Sequence, residues 1–236
     1  MYVAVPLGVL CASGVNNSVA VMCGRFTLTP DAERLHEELG IGVPPDYQPR
    51  YNIAPGQPIL AIAGEPDAPR AGWLLWGLRP WWQREKPGRP LVNLRADRLH
   101  RTVPRLLERR RCLIPADGFY EWMRMARHRQ PMFVHRPDQG LFTMAALWDR
   151  WQPDDGVEVR TVAIITTEAQ GIVESIHDRM PLILEADERA EWLDRETQSE
   201  RLSEMLRARS PDLEAYAVIS RVNKADNEGR ENLEPA

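Results

Sequence analysis

An α+β fold is expected for this 236-residue sequence. It should be mainly antiparallel, with a strongly bent, barrel-like sheet at its core and helices at the periphery. Short apolar or alternating runs rich in β-branched and aromatic residues crowd the centre of the chain. Helical patterns sit between or after them. No regular strand–helix–strand alternation is present, which disfavours a parallel α/β sheet.

Thr29-Pro30-Asp31 opens the first helix, with a cap residue, a proline at the first turn and an acid beside it. That helix runs through Leu35 to about Gly40. Residues 43–58 are rich in proline and turn formers and read as a loop. Ile59–Ala63, Trp73–Leu78, Pro131–His135, Leu141–Leu147, Val159–Thr166 and Ala215–Ile219 read as short strands. Asp187–Leu193 and Ser199–Ala208 read as helices on an acidic surface. There is no internal repeat, low-complexity tract or long linker. One domain, spanning residues 22–236, is expected.

Hydrophobic residues make up 43% and charged residues 27% of the chain, a balance that suits a globular protein with a sizeable core. The net charge of −4 hides an asymmetry. Arg79 to Arg136 holds fifteen Lys/Arg against five Asp/Glu, whereas Ile183 to Ala236 holds eight against fourteen. A basic middle is an electrostatic footprint for phosphates, or else it is neutralised within the fold by the acidic end. The three cysteines, Cys11, Cys23 and Cys112, form no CxxC pair. Neither a disulfide framework nor a zinc site is suggested, and a reducing, cytoplasmic compartment follows. No metal and no cofactor are expected.

Residues 1–21 are read as a leader without fixed structure, or as a start site set too early. Tyr2 to Ala12 is apolar but too short to span a bilayer, and no basic residue precedes it as a secretory signal requires. Met22-Cys23 looks like an initiator site. Removing Met22 would leave Cys23 with an α-amine and a thiol two bonds apart, a pair that no internal cysteine has.

Four segments carry polar residues that packing does not account for. They are Cys23-Gly24-Arg25, Asn93-Leu94-Arg95-Ala96-Asp97, the run from Cys112 to Trp122, and Ile164–Thr167 leading to Ile176–Pro181. Each residue has a plain structural alternative. Cys112 suits a buried small hydrophobe. Glu121 could face solvent from a strand; facing inward, its carboxyl would be desolvated and biased toward the protonated form a general acid needs. A lone His177 is more often structural than catalytic, and tryptophans are more often core than stacking platforms.

Together, these segments resemble the SRAP family, named for SOS response-associated peptidase. The resemblance rests on Cys23-Gly24-Arg25-Phe26, Tyr51-Asn52-Ile53-Ala54-Pro55, Trp76-Gly77-Leu78, Asn93-x-Arg95-Ala96, Cys112 to Trp122 and Ile176 to Pro181, all in the family's order. It extends from Met22 to Pro235. One departure is Asp97, where family members commonly carry glutamate. The other is the 21 residues ahead of Met22, which would turn the Cys23 amine into an unreactive peptide nitrogen.

The resemblance implies a protein that processes abasic sites in single-stranded DNA. It implies a thiazolidine DNA–protein crosslink through an N-terminal Cys23, with lyase-type chemistry and Glu121, Asn93 and His177 in support. Asn93 would hold the cysteine end and the sugar. Glu121 would shuttle protons during imine formation, and His177 would act on the opened sugar hydroxyl. Arg25, Arg95 and Arg179 would grip phosphates, since the arginine fork bonds two oxygens at once. Trp76, Trp81 or their neighbours Trp73 and Trp82 would stack on exposed bases. A monomer is expected, cytoplasmic, nucleoid-associated when DNA-bound, and with no membrane partner. Two other readings compete: a cysteine peptidase that removes its own leader using Cys23, and a non-covalent single-strand binder.

Overall fold

The computed structural model describes residues 24–82, 88–153, 156–209 and 211–236. The expectations for residues 1–21, Met22 and Cys23 therefore lie outside the described residues.

The described chain forms strands β1 (Arg25–Leu28), β2 (Arg50–Ile53), β3 (Pro58–Ala63), β4 (Arg70–Trp76), β5 (Asn93–Arg95), β6 (Arg111–Ala116) and β7 (Gly118–Arg124). They continue with β8 (Arg129–His135), β9 (Phe142–Trp151), β10 (Val159–Glu168), β11 (Arg179–Pro181), β12 (Ile183–Leu184) and β13 (Glu214–Ala217). The α-helices are α1 (Ala32–Leu39), α2 (Leu99–Thr102), α3 (Pro104–Arg109), α4 (Glu188–Leu193) and α5 (Ser199–Met205). The expected α+β class is what the structure shows.

Five strands close into a barrel. β4 pairs antiparallel with β3, β3 meets β6 at Ile62↔Leu113, β6 pairs with β9, and β9 pairs with β10. The ring closes through a parallel pairing of β10 with β4, at Thr161↔Leu75 and Val162↔Trp76. β5, β11 and β12 extend the barrel from β10 and β9. A second, antiparallel sheet has the order β13-β8-β7-β1-β2.

Strand alternation sorts side chains between two cores. Ile59, Ala61, Cys112, Ile114, Met144, Ala146, Val162 and Ile164 join Phe26 and Phe119 in the main core. The residues between them, such as Leu113, Ala145, Leu147, Ala163 and Ile165, meet Leu106, Trp192, Leu202 and Met205 from the helices. β10 reads as a continuous apolar run because both of its faces are covered. Arg111 is buried and donates to the carbonyls of Leu107, Glu108, Trp192 and Asp194. It thereby satisfies the bare carbonyl ends of α3 and α4. Cys112 is a fully buried core residue.

Some boundaries differ from expectation. Helix α1 is capped by Asp31, which accepts the Arg34 amide at 2.9 Å, and ends at Gly40 with φ 65°. Thr29, the expected cap, is bonded to Asp117 instead. Residues 43–58 are not wholly loop, because β2 lies within them, hydrogen-bonded along one edge to β1. β4 starts earlier than the tryptophans and stops at Trp76, because Gly77 takes φ 138° and redirects the chain. β6 and β7 escape a pattern reading, since β6 carries Pro115 in the middle of a central strand.

Candidate functional site

The C-terminal half of β10 gathers the motif residues. β5 runs parallel to it, with Ile164↔Asn93 and Thr166↔Arg95. β11 runs antiparallel, with Glu168↔Arg179 and Thr167↔Met180. Asn93, Arg95 and Arg179, which lie up to 86 positions apart in the chain, thus come to one end of one strand. The turn between β10 and β11 closes through Ala169 N–H donating to Asp178 O at 3.0 Å, and it carries His177.

Two arginines share one carboxylate here. Arg95 makes a two-pronged contact with Asp97, each bond 3.0 Å long. The Arg95 guanidinium holds the Asp97 carboxyl below the usual carboxylate range. Arg179 lies 3.8 Å from the same carboxylate. Its side chain is only 4% exposed, and it donates to the Thr166 carbonyl at 2.5 Å, while its buried Nε makes no hydrogen bond. Burial first, then the charge of Arg95, pulls the Arg179 guanidinium below its ordinary value. Glu168 and Asp178 also act on both guanidiniums, so the cluster mixes charges of both signs.

His177 Nδ1 lies 3.1 Å from the Arg179 amide nitrogen and 3.0 Å from Asp178 Oδ1. It cannot accept from the one and donate to the other at once. The amide is a fixed donor, whereas the Asp178 side chain is 84% exposed and free to swing. Nδ1 is therefore read as the acceptor, which leaves the ring proton on Nε2.

Glu121 sits on β7, 2% exposed, on the same strand face as Phe119, which belongs to the main core. The inward-facing alternative is thus the one found. β1 pairs with β7 at Arg25↔Tyr120, and the register continued by one residue sets buried Gly24 opposite Glu121. The two sheets are tied together close by. Phe26 packs edge-on against Trp76 with ring centres 5.3 Å apart, and the Trp76 indole N–H donates to Val92 O at 2.9 Å. Val92 immediately precedes Asn93. The start of β1 is therefore anchored to the chain that leads into β5.

Two expected DNA contacts are corrected. Trp76 is 1% exposed, inside the main core, where no base can reach it. Trp81 and Trp82 are 48% and 51% exposed, edge-to-face at 6.0 Å, and available as platforms. Arg25 is not held out for phosphate. Its guanidinium donates to Asn52 Oδ1 at 3.0 Å, to Val222 O at 2.5 Å and weakly to Asn223 O. Burial draws it below its ordinary value.

Sequence reasoning left Asn52 and Asp117 without a role. Asn52 is fully buried and donates to the carbonyls of Lys224 and Asn227 at 2.9 Å, clamping the C-terminal segment over β1 and β2. Asp117 binds the hydroxyls of Thr27 and Thr29 and so latches β1 at its far end. Their positions inside the recurring motifs Tyr51–Pro55 and Cys112–Trp122 were the available signal. Among the described residues no group of three or more His, Cys, Asp or Glu could hold a metal ion. No helix among them is long and apolar enough to cross a membrane.

The chain is similar to known proteins in both sequence and fold. The family model described as SOS response associated peptidase (SRAP) matches residues 22–225. Abasic site processing protein YoqW of Bacillus subtilis is 39% identical over 222 residues, 90% of this chain and 99% of that protein. Abasic site processing protein YedK of Escherichia coli is 31% identical over 227 residues, 91% of this chain and 100% of that protein. A crystal structure of a protein from Bacteroides thetaiotaomicron shares the fold with a TM-score of 0.80 at 22% identity, covering 91% of this chain and 100% of that one.

Proposed function

The chain belongs to the SRAP family, and from that premise we propose that it processes abasic sites in single-stranded DNA by bonding to them covalently through Cys23. An α-amine has an ordinary pKa of about 7.7–8.0, against about 10.4 for lysine, so much more of it is neutral at physiological pH. That neutral amine attacks the aldehyde of the ring-opened deoxyribose. The adduct loses water and becomes an imine. The thiol sulfur then adds to the imine carbon while its proton passes to the nitrogen, closing a five-membered thiazolidine. Both nucleophiles sit on one residue, so the second step is intramolecular and favoured by proximity.

In this reading Glu121 carries the proton that makes the departing hydroxyl into water, and its burial keeps bulk solvent from competing. Asn93 holds the sugar and the cysteine end by hydrogen bonds. His177 acts on the opened sugar hydroxyl and helps reverse the bond. Arg95, 40% exposed, receives phosphate with the buried Arg179 behind it, and Trp81 and Trp82 stack on bases without regard to sequence. The reaction needs the Cys23 amine to be free, so the active molecule is one that starts at Cys23.

The observation that supports this reading most is the gathering of Asn93, Arg95 and Arg179 from β5 and β11 at one end of β10. The test mixes protein starting at Cys23 with abasic single-stranded DNA and looks for an adduct that survives denaturation. The expected result is an adduct that disappears with Cys23→Ala and forms 10²–10⁴-fold more slowly with Glu121→Gln, the usual worth of a general acid–base group. An equal adduct from Cys23→Ala refutes the assignment.

A peptidase reading, in which Cys23 frees itself from the preceding residues, is favoured only by the family's description. Cys112 is no alternative nucleophile, because it is fully buried and burial pushes its thiol far up from its ordinary value. Mass spectrometry of the full-length chain with and without Glu121→Ala tests it. Leader loss that is unaffected by Glu121→Ala and absent from purified protein excludes self-cleavage.

A further inference from the structure

One feature of the barrel is left unused by the chemistry at Cys23. At the opposite end of β10 from the gathered motifs, Arg160 stands directly across from Arg150 on β9. Like charges facing each other in an antiparallel pair destabilise it. On the same face the next pair inward is Trp148↔Val162, and the Arg110 guanidinium lies over the Trp148 ring at 4.6 Å. Burial, and then the charges of Arg150, Arg195 and Arg160, pull the Arg110 guanidinium below its ordinary value, with Asp149 opposing. The arginines are thus close enough to feel one another.

Local acids do little to neutralise this face. Asp149 is 4% exposed, and its two oxygens accept the backbone amides of Trp81 and Arg150 at 3.0 and 2.9 Å. Glu158 reaches Arg150 only at 3.8 Å and Glu65 reaches Arg195 at 3.5 Å, both between exposed side chains. Such pairs are screened and weak.

We propose that Arg110, Trp148, Arg150, Arg160 and Arg195 form a second nucleic-acid contact that holds the strand beyond the lesion. This rests on the reading that the protein acts on single-stranded DNA. Several guanidiniums with one indole among them suit a chain of phosphates and bases better than an acidic peptide, which offers nothing to stack. Thr166 and Arg160 are six positions apart on β10, so the contact lies about 20 Å from the motif end at ~3.3 Å per residue. The footprint therefore extends several nucleotides to one side of the abasic site.

The test uses protein starting at Cys23 and the double variant Arg150→Gln/Arg160→Gln. Equilibrium binding is measured against salt on a 25-nucleotide single strand and on a five-nucleotide strand centred on the lesion, too short to reach the patch. Two lost phosphate contacts should lower the slope of log K against log salt by about 1.4 and weaken binding of the long strand about tenfold at 0.15 M salt. Binding of the short strand and the rate of adduct formation on it should not change. The melting temperature should hold or rise, since a repelling pair is removed. If it falls, Arg150→Lys/Arg160→Lys, which keeps the charges, must restore the slope. An unchanged slope on the long strand, or an equal loss on the short one, overturns the proposal. A wild-type protein that binds the long strand through this patch yet forms no adduct would instead overturn the Cys23 reading alone.

Discussion

Replacing Trp76 with phenylalanine should cost stability rather than DNA affinity, and Trp81→Ala should do the reverse. The Trp76 indole N–H is the donor to Val92 O, and phenylalanine leaves that bond unmade. The carbonyl keeps a second bond, from Ile164 N–H at 3.2 Å, so the loss falls near the low end of about 1–3 kcal/mol. The smaller ring leaves a void worth about 1 kcal/mol more. The edge-to-face contact with Phe26 survives in part. The sum is about 2–3 kcal/mol. For a chain of this size that is a fall in melting temperature of about 4–12 °C. Trp81, 48% exposed, should change melting by less than about 2 °C when cut to alanine, as ordinary surface substitutions do. Losing a stacking platform worth about 1–3 kcal/mol per base should weaken binding of single-stranded DNA roughly 5- to 150-fold. Calorimetry and fluorescence anisotropy on the same two variants decide it. Near-native melting with strongly weakened binding for Trp76→Phe would refute the assignment of Trp76 to the core. A Trp76→Phe variant should also form adduct more slowly, because Val92 directly precedes Asn93.

Arg25→Ala should destabilise by about 2–4 kcal/mol, because charge-assisted bonds to Asn52 and Val222 are lost and buried acceptors are left bare; hydrogen exchange should rise first in residues 220–233. Cys112 should resist alkylation in the folded protein and react only on unfolding, as followed by mass spectrometry across a urea series. Asp97 is held below the usual carboxylate range by Arg95, so its contribution to stability is fully present above about pH 4 and is lost as the pH falls through its lower folded value. Asp97→Asn should therefore flatten the melting-versus-pH curve only below about pH 4.

Much of the fold was legible. Ile59–Ala63, Pro131–His135 and Val159–Thr166 announce themselves because alternating or continuous apolar runs must be covered on one face or both. α1 was visible through its start signals and α4 as a helix on an acidic surface. β2, β6 and β7 were not, because their residues serve tertiary contacts more than a period. Arg50-Tyr51-Asn52-Ile53 alternates poorly, since Asn52 is buried to bind carbonyls from the C-terminal segment. Pro115 sits where a pattern reading expects no central strand. The site was legible as a set of residues and not as a place, because those residues lie on different elements.

From residue types alone came the α+β class, the family, the special chemistry open to Cys23 and the excess of arginine in the middle of the chain. The class and the arginine excess follow from composition and short-range pattern, the family from the resemblance of its ordered motifs and the Cys23 chemistry from functional groups, none of which needs a third dimension. Only the tertiary structure decided which of these residues face solvent and which face each other. It buried Trp76 and left Trp81 out, turned Arg25 inward as a clamp and Glu121 inward beside the core. It also set Arg150 against Arg160. The physical reason is that side-chain exposure and charge proximity depend on strand pairing between residues far apart in sequence. A one-residue change of register would move every side chain of a strand to its other face.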